Sequence, residues 1–511
     1  MVHSYPQRDI LPPGSPASDW CASPETLRSF WPFSGNAEGI NQAIEARGPV
    51  DIERRKHVSE CIRKQYAAVG MDAPHGLVAF AKGAEVVSVG HQLQAGGGPA
   101  FFHYKILSAL RWAAQLRASG TPAVAVFWMA SEDHDFEEID RTYAPGEPTF
   151  EWMPKRLEQS PVGRIVWDSQ AESAWQTWCQ ATLRSTSAVH DQSMPLAYRV
   201  RLWLEEWFGQ EDLVVLDGDD SELKASAHTV LAPEWSGAGI ASALRGAQVK
   251  YEKKWSSVPL HVQENNLFVL EDNGRRIRSD RWLAAHSANE IRNLRPDQLS
   301  PNAALRPVYQ ELMLQSAAFI GGPSEVGYWL MLGDVFRHHG VSHPALVVRD
   351  GAFVHNAHSL RAAESCGWTP QEPALTGDAA VAAWADIKLR GNGELERAFE
   401  AWSGALIAHS RGVPGDAVPT TRAALTKMKK ELVHVRKKWR KLFRQQHAEE
   451  AEAIRKAFDD WICPNGQGQE RKLSALPLME ANGGIAAFTA AWHKALKDAN
   501  EPQFLVFYPS S

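Results

Sequence analysis

Residues 84–130 restrict the fold more than any other stretch, because two apolar runs flank a glycine-rich turn and an amphipathic segment. Residues 84–89 form a short β-branched run that ends at Gly90. Residues 99–118 repeat apolar and aromatic side chains every three or four positions, which predicts a helix beginning at Pro99. Residues 123–130 form a continuous apolar run, typical of a parallel strand covered on both faces. This strand–helix–strand unit predicts a doubly wound α/β core.

Further strand patterns extend this core along the chain. They are "LVVLDGDD" at 213–220, "LFVLED" at 267–272 and "ALVVRDGAF" at 345–353. A chain of 511 residues is too long for one small core, and at roughly 100–200 residues per unit we expect two or three units. Its 44% hydrophobic and 22% charged residues are typical of a globular protein.

The pattern changes near residue 377, where apolar residues repeat at alternating steps of three and four between charged residues. The repeat comprises Leu395, Phe399, Trp402, Leu406, Leu425, Met428, Leu432, Val435, Trp439 and Leu442, and it resumes at Ala451 after an interruption near Gln446. This predicts a helical hairpin or a coiled coil with a stutter, and a plain amphipathic helix on a core is the alternative. The predicted domains are a core at 1–376, a helical coiled-coil domain at 377–475, and a segment at 476–511 that packs back on the core.

Charge, cysteine content and hydropathy argue against several classes of protein. The net charge of −6 is mild and disfavours a nucleic-acid partner. The five cysteines are scattered without a CxxC pair, which predicts a reduced, cytoplasmic chain without a disulfide framework or zinc knuckle. The longest apolar run is far shorter than the ~20 residues that span a bilayer, so no membrane association is expected. The N-terminal "MVHSYPQRDI" does not have the pattern of a signal peptide.

The turn between the first strand and the first helix is a candidate anion site. Gly96, Gly97 and Gly98 would let a phosphate approach the backbone, next to the free N–H groups of the helix start. The turn matches neither GxxxxGK[ST] nor GxGxxG, and a glycine-rich turn without a ligand is the alternative. Polar residues nearby favour a site, because ligands bind at the carboxyl edge of such sheets. These residues are His91, Gln92, Lys105, Ser131, Glu132, Asp133, His134 and Asp135.

Four spaced blocks carry a more specific signal. They are "VGHQLQAGGGPAFFHYK", "PAVAVFWMASEDHDFEEID", "LSPNAALRPVYQELMLQSAAFIGGPSEVGYW" and "CPNGQGQER". In this order, across essentially the whole chain, they resemble the BshC family of cysteine-adding ligases in bacillithiol biosynthesis. The resemblance implies a Rossmann-like core related to class I aminoacyl-tRNA synthetases and nucleotidyltransferases, with a coiled coil that forms a homodimer.

The reaction implied by the resemblance joins the carboxyl of cysteine to the amine of glucosaminyl-malate, with activation by ATP. Related synthetases carry an HxGH motif, whereas this chain has "GHQ" at 90–92. It also has no convincing KMSKS. The similar "TKMKK" at 426–430 lies within the heptad-like repeat and is interpreted as a solvated basic face.

An unactivated carboxylate does not condense readily with an amine, so positioning and phosphate neutralisation would supply most of the catalysis. Gly90, His91 and Gln92, together with the three glycines of the turn, are the predicted nucleotide cradle. Lys105 is a candidate for the phosphate charge, and a helix-surface lysine is the alternative. Asp133 and Asp135 are candidates to hold the cysteine ammonium or Mg²⁺, and a loop that satisfies a helix N-terminus is the alternative.

The third block supplies the predicted amine-substrate site. Arg306 and Gln310 lie four residues apart, on one face of a helix, where a guanidinium suits the malyl carboxylates. Gly321 and Gly322 repeat the strand–glycine–helix pattern, and Glu325 in the first helical turn would accept a proton from the amine or orient it. Tyr328 is expected to form a pocket wall. A structural arginine and an ordinary helix-start carboxylate are the alternatives for Arg306 and Glu325.

Two other interpretations of the whole chain stay open at this point. One is a nucleotidyltransferase-like enzyme that acts on another amine and acid, and the other is a nucleotide-binding coiled-coil scaffold without catalysis. Two glycine loops with charged neighbours disfavour the scaffold. His338, His339 and His343 do not share one helix face, so they are interpreted as surface or helix-end histidines, and a metal site is the alternative.

Overall fold

The computed structural model describes the chain except for residues 147, 185–186, 191, 237–238, 288–289, 291–292, 391–393, 416 and 510–511. The described residues form two compact units. The first, here called the core unit, comprises residues 1–354 and 470–511, and the second, the helical unit, comprises residues 355–469. The domain limits predicted at residues 376 and 475 differ from the limits of these units and remain predictions.

The strands are short, and they are numbered here in chain order. They are β1 Val2–Pro6, β2 Glu85–His91, β3 Ala123–Met129, β4 Arg141–Tyr143, β5 Thr149–Glu151, β6 Val166–Trp167, β7 Met194–Pro195, β8 Val214–Asp217, β9 Leu267–Leu270, β10 Arg276–Arg278, β11 Leu299–Pro301, β12 Ala318–Gly321, β13 Ala345–Val348, β14 Gly351–Val354 and β15 Gln503–Phe507.

The α-helices account for most of the remaining regular structure. They are Pro16–Ala22, Ala37–Arg47, Ile52–Ala67, Gly76–Ala81, Phe101–Ala118, Ser169–Thr182, Leu196–Phe208, Ser221–Ser226, His228–Leu231, Pro233–Ser236, Ala241–Glu252, Ser279–Ala285, Arg306–Leu314, Pro323–Trp329, Gly333–His339, Ala357–Cys366, Gly377–Arg390, Glu394–Ser410, Val418–Gln446, Ala448–Ala457, Gln469–Lys472, Ala475–Glu480 and Ile485–Leu496. Of the helices in the described part of the chain, none has both the length and the apolar character needed to cross a lipid bilayer.

A five-stranded parallel sheet forms the centre of the core unit. Its strand order is β13-β12-β2-β3-β8, and each neighbouring pair is parallel. Every residue of β3 is buried, as expected for a parallel strand covered on both faces. The helix Phe101–Ala118 connects β2 to β3 and packs on both strands. The predicted Rossmann-like parallel-sheet core is therefore confirmed.

The first crossover helix begins two residues later than predicted. Pro99 forms an isolated antiparallel bridge with Ser474, and the N–H of Ala100 donates to the Leu473 carbonyl over 2.7 Å. These contacts hold the chain in an extended path, so the helix starts at Phe101.

Two predicted strands belong to other sheets. The segment at 267–270 is the central strand β9 of an antiparallel sheet with order β10-β9-β11. The pattern at 345–353 divides into β13, in the parallel sheet, and β14, which pairs in parallel with β15. Strand β15 also pairs antiparallel with β1, so the two chain ends meet in a small third sheet.

The helical unit confirms the predicted interruption of the apolar repeat. The helix Val418–Gln446 ends where the repeat is lost, and a new helix begins at Ala448. Several apolar side chains of the repeat face solvent: Trp402 is 45% exposed, Trp439 44% and Leu442 63%. The structure thus contains the predicted helices, and the pairing of a coiled coil between two chains remains a prediction.

Candidate active site

A cavity of about 630 Å³ opens at the carboxyl ends of β2 and β3. Strand β2 lies between β3 and β12, so the chain leaves β2 towards β3, and β12 with its following helix lies on the other side. Such a switch point is where open α/β sheets bind ligands. The polar lining side chains are His91, Gln92, Glu132, Asp133, His134, His261, Gln263, Asn265, Arg276, Arg278, Asn302, Arg306, Glu325 and Tyr328.

A buried ion pair joins the two helices beside this cavity. Lys105, on the helix after β2, pairs with Glu325, on the helix after β12, and their side chains are only 4% and 20% exposed. The N–H of Gly322 donates to Oε2 of Glu325 over 2.8 Å, because Glu325 caps its own helix. Burial lowers the pKa of Lys105, and this effect exceeds that of the Glu325 carboxylate, which raises it. Burial raises the pKa of Glu325, but Lys105 outweighs it and the pKa lies below its ordinary value.

His91 ends strand β2 next to this pair. Its Nδ1 lies 2.9 Å from the Gln92 carbonyl, which can only accept, so Nδ1 carries the proton and Nε2 has the lone pair. Burial and the nearby charge of Lys105 lower the pKa of His91 to about 3. The imidazole is therefore neutral at physiological pH and can accept a hydrogen bond.

Arg306 is oriented by two neighbours on the cavity wall. Its Nη1 donates to Oε1 of Gln310 over 2.8 Å, and its Nη2 donates to the hydroxyl of Tyr328 over 3.2 Å. A Cβ added at Gly90 would lie 3.1 Å from Arg306 Nη1 and from Gln310 Oε1, so a glycine leaves room for the guanidinium. Burial raises the pKa of Tyr328, so its hydroxyl keeps its proton.

Asp133 forms the anionic part of the cavity at the end of β3. Its carboxylate accepts from Nε2 of Gln92 over 2.5 Å and from the N–H of His134 over 2.7 Å. Burial raises the pKa of Asp133, but Arg276 and the bond from Gln92 outweigh it, so the pKa is lowered. Asp133 therefore stays ionised. Asp135 is exposed and lies outside the lining. The Mg²⁺ role considered for the two carboxylates remains a prediction.

Further lining residues come from the segments 259–278 and 301–302, and none of them was assigned to the site from the sequence. Arg276 on β10 is buried, and its guanidinium lies 3.9 Å above the Phe268 ring. It donates to Ser300 Oγ, to the Pro301 carbonyl and to Nδ1 of His134, each over 2.9 Å. The basic stretch "GRRIRSD" at 274–280 was the available signal, but nothing in its spacing indicates that it reaches this sheet edge.

Glu132 and His134, which follow β3 on either side of Asp133, both line the cavity. Glu132 pairs with the buried Lys224 over 3.1 Å, and Lys224 also pairs with Asp219 over 2.6 Å. Burial raises the pKa of Glu132 in spite of Lys224. The chain leaves β3 as a turn, so the alternation of a strand does not apply after Ala130 and consecutive side chains can reach the cavity.

The glycine turn does not line the cavity. The φ angles of Gly96, Gly97 and Gly98 are +66°, +84° and +53°, so the turn needs the conformational freedom of glycine. A Cβ at Gly96 would lie 2.4 Å from the Trp175 ring, and a Cβ at Gly97 would lie 2.8 Å from both His103 and Trp207. Packing against aromatic side chains thus accounts for the small residues here.

Three backbone N–H groups at this turn, those of Ala95, Gly97 and Gly98, already donate within the protein. The N–H of Ala95 donates to the Ile139 carbonyl over 3.1 Å, and that of Gly97 to the Gln94 carbonyl over 3.2 Å. The N–H of Gly98 donates to Thr142 Oγ1 over 3.2 Å. An anion cradle needs open N–H groups, so this geometry favours the alternative of a packed turn.

The predicted residues therefore divide into three groups. The cavity brings together Gly90, His91, Gln92, Asp133, Arg306, Glu325 and Tyr328. Lys105, Gln310 and Gly322 contact members of that group from behind the wall. Gly321 is buried at the end of β12, and Gly96, Gly97, Gly98 and Asp135 lie outside the lining. The catalytic and binding roles of all these residues remain predictions.

A family model described as "Bacillithiol biosynthesis BshC, N-terminal Rossmann-like domain" matches residues 14–350. The chain belongs to the BshC family. The matched range includes the parallel sheet and every lining residue of the cavity, whereas the helical unit lies outside it.

Similar BshC proteins extend the match to most of the chain. A protein of Cytophaga hutchinsonii named "Putative cysteine ligase BshC" is 28% identical over 491 residues, which cover 90% of this chain and 91% of that protein. Proteins of the same name from Flavobacterium psychrophilum and Christiangramia forsetii are 26% and 25% identical and cover 89% and 92% of this chain. The matched segments cover 90% and 92% of those two proteins. This BshC-family chain is accordingly a ligase of bacillithiol biosynthesis.

Proposed function

We propose that this ligase joins the carboxyl of cysteine to the amine of glucosaminyl-malate, after nucleotide-dependent activation of the carboxyl. The observation that carries the proposal is the charge arrangement of one cavity of about 630 Å³. Arginine side chains and an ionised aspartate line it together, which suits a substrate pair with carboxylates on one molecule and an ammonium on the other.

Arg306 would hold a malyl carboxylate. Its bonds to Gln310 and Tyr328 use two of the five N–H donors of the guanidinium and fix its plane. A fixed guanidinium can present its other donors to a carboxylate as a fork, which a lysine cannot do. The hydroxyl of Tyr328 keeps its proton and can donate to the same ligand.

Asp133 would hold the ammonium of cysteine. Its lowered pKa keeps it ionised, and Gln92 fixes one of its oxygens. The Arg276 guanidinium, 3.9 Å from Asp133, favours the ionised carboxylate. An ionised carboxylate can pair with an organic ammonium or with a metal cation.

A bound nucleoside triphosphate would supply the leaving group that converts the carboxyl of cysteine into an acyl donor. The cavity volume is within the range of ligand pockets, and its cationic candidates for phosphate are Arg276, Arg278 and Arg306. The turn of Gly96 to Gly98 is less suited to this role, because the N–H groups of Gly97 and Gly98 donate within the protein.

Glu325 would orient the attacking amine. The lowered pKa of Glu325 makes its carboxylate a weak base. The low pKa of His91 makes its imidazole a weak base too. Both groups can accept hydrogen bonds from an ammonium or amine while keeping their own protonation states. We therefore assign them positioning of the amine next to the activated carboxyl, which is the main source of rate in such condensations.

The test is turnover of the purified chain with cysteine, glucosaminyl-malate and ATP, followed by mass spectrometry of the thiol product. We expect a product containing one cysteine per glucosaminyl-malate, together with ADP or AMP. A nucleotidyltransferase-like enzyme would consume ATP only with another acid or amine. A scaffold would bind nucleotide and form no product. Loss of the thiol in a deletion strain of the source organism would support the same assignment in cells.

Exchange of single charged residues should separate the two substrates. Arg306→Lys keeps the charge and loses the bidentate fork, so we expect KM for glucosaminyl-malate to rise about ten- to a hundredfold with little change for cysteine. Asp133→Asn should raise KM for cysteine by a similar factor. Steady-state kinetics with each substrate varied in turn measure both effects.

Lys250→Met is a suitable control for these kinetics, because Lys250 forms a half-exposed ion pair with Asp334 and lines no part of the cavity. Its two KM values should equal those of the unmodified protein. If Arg306→Lys and Asp133→Asn both weakened cysteine use and spared glucosaminyl-malate, the assignment of Arg306 to glucosaminyl-malate and of Asp133 to cysteine would be wrong.

We also propose that the helical unit forms a homodimer, in keeping with the cytoplasmic location expected of this chain. The support is the exposed apolar row of the helix Val418–Gln446, which includes Met428, Val435 and Trp439. A shallow apolar groove lies beside it, lined by Phe399, Trp402 and Leu432 among others.

Leu432→Asp should convert this dimer to a monomer, because it places a charge on the apolar row without disturbing the core unit. Light scattering at matched concentrations measures the mass of both proteins. Val249→Asp is a control, since Val249 is an exposed apolar residue of the core unit. Equal masses for Leu432→Asp and the unmodified chain would contradict the proposed interface.

A further inference from the structure

Three potential metal ligands converge away from the cavity, on two helices of the core unit. They are His57 and Cys61, on the helix Ile52–Ala67, and Glu222, on the helix Ser221–Ser226. Their ligand atoms all lie within 4.8 Å of one another. The Cys61 sulfur is 4.0 Å from His57 Nε2 and 3.8 Å from Glu222 Oε2. None of these residues lines the cavity.

The helix geometry explains why the first two donors meet. Residues four apart share one face of a helix, so His57 and Cys61 present nitrogen and sulfur to the same point. Glu222 comes from a segment 161 residues away and adds a carboxylate oxygen from the other side. A hydroxyl lies at the same point, because Ser226 Oγ is 2.8 Å from His57 Nε2. The separation in sequence explains why no zinc pattern is visible in the chain.

The donor types select the class of ion. One imidazole, one thiol and one carboxylate are ligands of Zn²⁺ and of similar divalent transition metals, whereas Mg²⁺ and Ca²⁺ prefer oxygen alone. With Zn–S and Zn–N bonds of about 2.3 and 2.0 Å, adjacent donors of a tetrahedral site lie roughly 3.5 Å apart. The Cys61 sulfur lies 4.0 and 3.8 Å from the other two donors. The Cys61 sulfur is buried and would be a fixed ligand. The Glu222 carboxylate is exposed, so an ion can reach the cluster from solvent on that side.

We propose that His57, Cys61 and Glu222 bind a divalent transition metal of the Zn²⁺ class, with a hydroxyl or water completing the coordination. This site is independent of the ligase reaction assigned above. The surroundings are anionic, since the Asp220 and Glu222 carboxylates both act on the thiol. Burial, with these carboxylates, raises the pKa of the Cys61 thiol to about 12, so metal binding must displace its proton.

Lys64 is the internal competitor for the site. Its ammonium contacts both oxygens of Glu222, over 2.7 and 2.9 Å, and must release one of them when a metal binds. The pair is about half exposed, so its loss costs little. Lys64→Gln should therefore tighten metal binding, an effect that no purely structural role of this cluster predicts.

Co²⁺ and Zn²⁺ titrations of the full chain test the site after treatment with a chelator. We expect one equivalent of Co²⁺ to give a near-ultraviolet thiolate charge-transfer band that Zn²⁺ abolishes. The band should be absent in Cys61→Ser and present in Cys21→Ser, whose thiol lies outside the cluster. Glu222→Gln and His57→Ala should weaken Zn²⁺ binding at least on the order of tenfold. Lys64→Gln should strengthen it about two- to fivefold.

Three results would overturn the site: no thiolate band in the unmodified chain, a band that persists in Cys61→Ser, or equal Zn²⁺ affinity in Glu222→Gln. Because Glu222 is exposed, Glu222→Gln should fold normally and keeps the test decisive even if the buried Cys61→Ser variant is unstable. Ligase activity is expected to be unchanged in Glu222→Gln, so failure of this site and failure of the proposed ligase reaction are distinguishable.

Discussion

Gly97→Val is expected to destabilise the folded protein by about 3–6 kcal/mol, through backbone strain and overpacking together. Gly97 has a φ of +84°, which a β-branched residue adopts only with strain. Its added Cβ would also lie 2.8 Å from His103 and from Trp207. Both rings are held by neighbours: Trp207 stacks on Trp203, and His103 packs against Phe208. Denaturant unfolding followed by circular dichroism measures the loss.

Gly120→Val separates the two contributions. Gly120 has a similar φ of +90°, but a Cβ added there meets open space. This variant should lose only the backbone part, about 1–3 kcal/mol, so the difference between the two variants measures overpacking. A stable Gly97→Val protein that no longer bound nucleotide would mean that the turn is an anion cradle after all.

The glycine turn shows what sequence patterns do and do not specify. Three consecutive glycines predict positive φ angles and close approach of another group, and both features are present. They do not say which group approaches. Here it is the side chain of Gln94, which directly precedes the turn, and the rings of Trp175 and Trp207, which come from helices whose packing no local pattern reveals.

The fold was more predictable than the site, because buried parallel strands and the crossover helix carry strong local signals. The apolar run at 123–130 predicted strand β3. The apolar run and glycines of the third block predicted strand β12 and the helix Pro323–Trp329 that follows it. The pattern at 267–272 predicted a strand correctly. It could not reveal the antiparallel pairing of β9 with β10 and β11, which depends on partners distant in sequence.

The site was predictable where its residues follow strands of the parallel sheet. His91, Asp133 and Glu325 were found in this way, because the carboxyl ends of parallel strands share one edge. Arg276 and Phe268 were missed, since they reach the cavity through a separate antiparallel sheet. The ion pair between Lys105 and Glu325 was missed as well: both residues were named as candidates, but no contact between them was predicted.

The buried pair of Lys105 and Glu325 leads to the second prediction. Glu325→Gln leaves an ammonium with 4% exposure without its counter-charge, so we expect a loss of about 3–5 kcal/mol in the free energy of unfolding. Lys105→Met should cost less, because Glu325 is 20% exposed and keeps the N–H of Gly322. Disruption of the exposed pair Lys250–Asp334 by Lys250→Met should cost at most about 1 kcal/mol.

The double variant Lys105→Met with Glu325→Gln separates stability from catalysis. With both charges removed, no ion is left unpaired, so most of the lost stability should return. Activity should not return. A glutamine cannot hold an ammonium or amine as a carboxylate does, and misplacement of the nucleophile costs on the order of 100-fold in kcat. If the double variant regained both stability and turnover, the pair would be structural alone, and Glu325 would have no part in the reaction.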